Sequence, residues 1–67
     1  MNRIKELRKK KGLSIKYVSE KTKLAYSTIV RIENGILKNP KYFTLKKIAN
    51  VLGVNVDDLF DNDIISE

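Results

Sequence analysis

The chain has no cysteine and no histidine, and only one proline and three glycines among its 67 residues. Without thiols or imidazoles it has no disulfide framework, no thiol nucleophile, no thiolate or imidazole metal site and no histidine acid–base pair. Most enzymatic chemistries fall with them. Scarce proline and glycine beside 42% hydrophobic residues argue for a folded helical domain over a disordered segment. No aliphatic run exceeds two residues, so neither a membrane span nor a secretory signal is expected, and the expected compartment is the cytoplasm. The length suits one small domain and leaves little room for a large catalytic cleft.

What the chain does have is positive charge, unevenly placed. Lys and Arg number 14 against 8 Asp and Glu, a net +6. All fourteen basic residues lie between Arg3 and Lys47, where the only acids are Glu6, Glu20 and Glu33, a local balance of +11. The last twenty residues carry −5. A basic body with an acidic end suits a polyanion partner, bound through phosphate neutralisation and counterion release. The plainer reading of the same charge is a solvated, solubilising surface.

Periodicity divides the chain into short helices. Asn2 is placed to cap a first helix over about residues 3–11, with Ile4 and Leu7 on one face and Gly12 as its stop. Ser14 caps a second helix that turns Ile15, Val18, Ser19 and Thr22 inward and ends near Thr22. Ile29 and Ile32 resume the spacing in a third helix, about Tyr26 to Asn34, which Gly35 closes in a left-handed conformation. A loop follows from Ile36 to Phe43 around Asn39-Pro40. Thr44 caps a fourth helix with Leu45, Ile48, Ala49 and Leu52 on one face and Gly53 at its end. Asn55 and Asp58 have capping-box spacing and open a last turn or two containing Val56, Leu59 and Phe60. The expected architecture is all-α: five short helices in one domain over residues 1–60, then a short acidic tail, 61–67. Its expected core is Ile4, Leu7, Leu13, Val18, Leu24, Ile29, Ile32, Leu45, Ile48, Ala49, Leu52, Val54 and Leu59.

Helices 2 and 3, joined by a short turn at Lys23-Leu24-Ala25, have the proportions of a helix-turn-helix. Val18, Leu24, Ile29 and Ile32 are spaced to lock two crossing helices together, and the small Ser19 allows close approach. Along the chain stand Leu13-Ser14, Val18, Glu20-Lys21-Thr22, Leu24, Ser27-Thr28-Ile29, Arg31-Ile32-Glu33-Asn34-Gly35, Pro40, Thr44-Leu45, Ile48-Ala49, Leu52-Gly53-Val54 and Asp57-Asp58-Leu59-Phe60. This series resembles the Cro/C1-type helix-turn-helix domain of the lambda-repressor-like, XRE group, in register from residue 3 to residue 60. The resemblance implies a compact five-helix bundle that binds operator DNA, usually as a two-fold dimer, with helix 3 in the major groove.

Three positions depart from the family pattern. Ile15 stands where glutamine is common and cannot make that amide's phosphate contact. Lys23 stands where glycine is common, so it must either accept a left-handed backbone at a cost of about 1 kcal/mol or shape the turn differently. Ala25 stands where a capping serine or threonine is frequent.

On the family geometry, Tyr26, Ser27, Thr28 and Arg31 face base edges. Arg31 has the donors to read guanine, its plainer role being a phosphate contact. Tyr26 either meets a thymine methyl, base or phosphate or lies over helix 2. Val30, on the same helix, suits a thymine methyl. Lys16 and Tyr17 at the start of helix 2, with Asn34, Lys38, Asn39 and Lys41 after helix 3, are the candidate DNA-backbone contacts, plain solvation being the alternative for the lysines. The resemblance also makes Arg8 and Glu33 a largely buried ion pair that joins helix 1 to the end of helix 3. Family dimers often form at the corner between helices 4 and 5, here Val54, Val56 and Phe60. Ile64 and Ile65 either extend that contact or pack on their own domain.

The expectation is a cytoplasmic, non-enzymatic transcriptional regulator: a sequence-specific binder of double-stranded DNA, acting as a repressor by occlusion at a palindromic operator as a homodimer. No cofactor, metal ion, membrane or small-molecule ligand is expected; the basic run Arg8 to Lys11 has too small an apolar face for a membrane helix. Ile15 and the apolar pair Ile36-Leu37 keep an alternative open, a protein-interaction module such as an antitoxin or an antagonist of another regulator. A third reading is the DNA-binding portion of a longer repressor.

Overall fold

Ser14 stands in extended backbone (φ −86°, ψ 160°) and its hydroxyl accepts the Tyr17 N–H at 3.0 Å, so the chain turns into a helix at the next residue. The computed structural model, which describes residues 2–61, has four helices, of which only this one starts on a side-chain cap. They are α1 (Ile4–Lys10), α2 (Ile15–Thr22), α3 (Tyr26–Glu33) and α4 (Tyr42–Leu52), followed by one 3-10 turn, Val56–Leu59. The class is all-α, and the only extended pairing among the described residues is a single antiparallel bridge between Asn2 and Phe60. None of the described helices is long and apolar enough to cross a membrane.

α2 packs against both α3 and α4, and α4 against the 3-10 turn. Ile4, Val18, Ile29, Ile32, Leu45, Ile48, Ala49, Leu52 and Leu59 are all buried, while Leu7, Leu13, Leu24, Val54 and Val56 pack half-buried around them. Each fully buried aliphatic side chain contributes about 1.5–3 kcal/mol relative to exposure. Every helix therefore depends on its inward face, since seven to eleven residues are too few to hold a helix alone.

Three expected boundaries differ. Asn2 is not the N-cap of α1; Arg3 occupies that place, although the Asn2 carboxamide oxygen still accepts the Ile4 N–H at 3.1 Å. α4 begins at Tyr42, two residues before Thr44. Lys41, just after Pro40, is already extended (φ −68°, ψ 149°) and its carbonyl accepts the Leu45 N–H at 3.1 Å, so the helix propagates from there without a side-chain cap. The expected fifth helix is a single 3-10 turn. Asp58 accepts the Asn55 N–H at 3.0 Å as its spacing predicts, but Phe60 is extended (φ −124°, ψ 155°) and bridges to Asn2 rather than continuing a helix.

Candidate nucleic-acid interface

α3 places residues 26, 27, 30, 31 and 34 along one side of its axis and 29, 32 and 33 along the other, as 3.6 residues per turn requires. Ile29 and Ile32 are buried on the inward side. On the outward side Tyr26 is 55% exposed, Ser27, Arg31 and Asn34 are exposed, and Val30 is half-covered. Thr28 differs from the expectation for a base-edge residue: it lies on the flank and is half-buried, because its helical phase falls nearer Ile32 than Tyr26.

Both ends of α3 are tied down. At its start, Lys23 takes the left-handed option, with φ 65° and ψ 21°, the only non-glycine residue at positive φ among the described residues. Side chains pin this turn: the Ser19 hydroxyl donates to the Leu24 carbonyl at 2.6 Å, and the Thr22 hydroxyl donates to the Val18 carbonyl at 2.7 Å and accepts the Leu24 N–H at 3.3 Å. Ser19, valued in the sequence for its size, is thus also a hydrogen-bonding residue. Ala25 gives α3 no side-chain cap, which leaves the N–H groups of Tyr26 and Ser27 without a side-chain acceptor at the start of the helix.

At the other end, Arg8 Nε donates to Glu33 Oε2 at 2.6 Å and Nη2 to Oε1 at 3.3 Å, while Nη1 reaches the Leu13 carbonyl at 2.8 Å. The two side chains are only 8% and 2% exposed. A carboxylate at a helix C-terminus opposes the dipole. The two-pronged guanidinium offsets that conflict and fixes the last turn of α3 against α1.

Lys16 and Tyr17 are exposed on the first turn of α2, and Lys21 Nζ lies 5.6 Å from the Tyr17 ring centroid. Asn34 and Lys38 line one surface cleft with Leu37 and Pro40. Lys38 and Asn39 are exposed in the loop, and Lys41 is the exposed N-cap of α4. Two further basic residues, Lys5 and Lys9 of α1, line an adjoining cleft with Glu33, Asn34 and Gly35. Sequence reading missed them because only the docking of α1 on α3 brings them there. Of the candidate dimer residues, Val54 and Val56 are half-buried and Phe60 is 37% exposed; Ile64 and Ile65 lie outside the described residues.

The helix-turn-helix family matches residues 4–59. The HTH-type transcriptional regulator SinR of Bacillus subtilis (strain 168) is 41% identical over 59 residues, covering 88% of this chain and 53% of SinR. The chain thus spans about half the length of the curated SinR relatives it matches. A crystal structure of SinR, the master regulator for biofilm formation, in complex with DNA superposes with a TM-score of 0.81 at 41% identity, over 88% of this chain and 94% of that one. The SinR/SinI protein complex superposes with a TM-score of 0.84 at 37% identity, over 97% and 63% of the two chains. The turn pinned by Ser19 and Thr22, the Arg8–Glu33 pair and the match across residues 4–59 agree: this chain belongs to the Cro/C1-type helix-turn-helix family, a class of DNA-binding, non-enzymatic regulators.

Proposed function

We propose that this domain is a transcriptional regulator that binds double-stranded DNA sequence-specifically, inserting the outward side of α3 into the major groove. The observation that carries this reading is the asymmetry of α3: a helix buried on one side shows Tyr26, Ser27 and Arg31 to solvent on the other. Arg31 reads a guanine edge and Tyr26 a thymine methyl or a phosphate. Thr28, from the flank, contacts backbone rather than bases. The open N–H groups at the start of α3 and the capped N-terminus of α2 with Lys16 and Tyr17 meet phosphates. Asn34, Lys38, Asn39 and Lys41 hold the backbone beyond the other end of α3.

The regulator acts as a repressor by occlusion, in the cytoplasm where its DNA lies. A domain this small contacts few base pairs, so a homodimer on a palindromic operator supplies the affinity, with Val54, Val56 and Phe60 at the contact. Selection from a random duplex library at physiological salt tests all of this. An inverted repeat with half-sites about one helical turn apart is the expected result. No enrichment from a folded protein overturns it.

One observation favours a second reading. Ile36, Leu37, Tyr42 and Phe43 are all exposed, Phe43 at 73%, and a protein partner would cover them. SinR, after all, is found in a complex with SinI. Weak DNA binding combined with tight capture of a protein through these residues is the result that would favour this reading.

A further inference from the structure

Asn2 touches three parts of the fold at once. Its Nδ2 donates to the Ile32 carbonyl in the last turn of α3 at 2.8 Å, across thirty residues of sequence. Its Oδ1 accepts the Ile4 N–H at the start of α1 at 3.1 Å. Its backbone bridges to Phe60, and the next residue, Arg3, donates its N–H to the Leu59 carbonyl at 2.7 Å. The backbone is therefore held from the C-terminal side while the carboxamide spans from α1 to α3.

The Ile32 carbonyl belongs to the final turn of α3, where helix carbonyls have no partner inside the helix. It also accepts the Gly35 N–H at 3.2 Å, and the Ile36 and Leu37 N–H groups converge on the Arg31 carbonyl at 2.9 and 3.2 Å. These bonds set the direction in which the chain leaves α3, and with it the placement of Asn34 and Lys38. Asn2 is the donor to this turn from outside the segment. The Asn2 carboxamide both donates to Ile32 and accepts from Ile4, whereas a carboxylate in its place only accepts. Asn2, Asn34 and Gly35 also line both clefts that flank this end of α3, so the carboxamide stands in the wall between them.

We infer that Asn2 is a positioning residue for the DNA-binding surface: its carboxamide fixes the exit of the recognition helix and so aims Asn34 and the loop bearing Lys38 at the DNA backbone. The consequence for DNA rests on the function proposed above; the positioning itself does not. The test compares Asn2→Asp with Asn2→Ala, both well below their melting temperatures. Asn2→Asp keeps the acceptor for Ile4 and places a carboxylate favourably at a helix start, so a residue that only caps α1 would lose nothing by it.

The first readout is amide hydrogen exchange without DNA. In both variants exchange at Gly35, Ile36 and Leu37 should quicken about five-fold, the effect of losing one ordinary hydrogen bond, while Val18 and Lys23 stay as they are. The second readout is DNA affinity against salt. It should fall for all sequences alike, with the salt slope reduced by about one contact. Wild-type protection at 35–37 in Asn2→Asp overturns the positioning role. Altered exchange with unchanged salt dependence keeps Asn2 as a determinant of the α3 exit and overturns its aim at DNA. If the wild-type protein selects no DNA sequence, the function proposed above fails, and the exchange comparison still decides the positioning.

Discussion

The two sides of α3 are built from different physics. Inward, Ile29 and Ile32 are buried in the core and Glu33 is locked to Arg8, so nearly every atom has a protein neighbour. Outward, Tyr26, Ser27 and Arg31 are exposed, and their side chains make no hydrogen bond among the described residues. The inner side decides whether the helix is there and at what angle; the outer side carries none of that load, which suits the recognition role proposed for it. Substitutions on the two sides should therefore separate cleanly into changes of stability and changes of recognition.

The largest effect belongs to the inner side. Glu33→Gln leaves a buried guanidinium without its counter-charge, which costs about 3–5 kcal/mol. In a domain of this size each kcal/mol lowers the melting midpoint by about 4–8 °C, so circular dichroism should show a fall of at least about 12 °C. An unchanged midpoint would mean that the Arg8–Glu33 contact is incidental to the placement of α3, and the division between the two sides would collapse.

Arg31→Ala probes the outer side and should do the reverse. Melting should stay within about 0.5 kcal/mol of wild type, as befits an exposed residue away from caps and core. Affinity for the selected operator should fall about ten- to a hundred-fold, with preference lost at one base pair per half-site. An even loss across all sequences would reassign Arg31 to the phosphates. Lys38→Ala sharpens the contrast at lower amplitude: a few-fold loss on every sequence and a salt slope smaller by about one. A flat salt response in the wild-type protein would contradict the whole basic face, since several phosphate contacts lower affinity by orders of magnitude between about 50 and 200 mM salt.

How much of this was legible in the sequence depends on the range over which each determinant acts. Ser14 and Gly53 announce helix ends because a cap works within a few residues, and both stand where the sequence places them. The inward faces follow from 3.6-residue periodicity, and all nine buried apolar residues among the described residues belong to the core read from it. The start of α4 was misread because Thr44 has the chemistry of a cap, whereas the extended backbone of Lys41 after Pro40 is sufficient without one. Thr28 was placed with Tyr26 and Ser27 by the family resemblance; its 100° step beyond Ser27 sets it on the flank of α3, half-buried. The bond from Asn2 to Ile32 had no local signature, because it exists only once α1 is docked on α3. The approach of Lys5 and Lys9 to the end of α3 had no local signature for the same reason.

The smallest effect is at the turn between the two helices, where the inner and outer sides of α3 are jointly fixed. Lys23 holds a left-handed backbone that costs a side-chain-bearing residue about 1 kcal/mol, and its own side chain is exposed. Glycine at this position removes that strain but frees the unfolded chain, so Lys23→Gly should gain only about 0.5 kcal/mol, seen as a midpoint higher by a few degrees. The Ser19 and Thr22 bonds that shape the turn do not involve the Lys23 side chain, so the aim of α3 should be unaltered and the operator preference unchanged. Lower stability on substitution would show that the Lys23 side chain supports the turn by more than it strains it. A changed base preference at unchanged stability would show that the angle of α3 is set at this residue, and the separation between holding the helix and reading with it would fail at the one position they share.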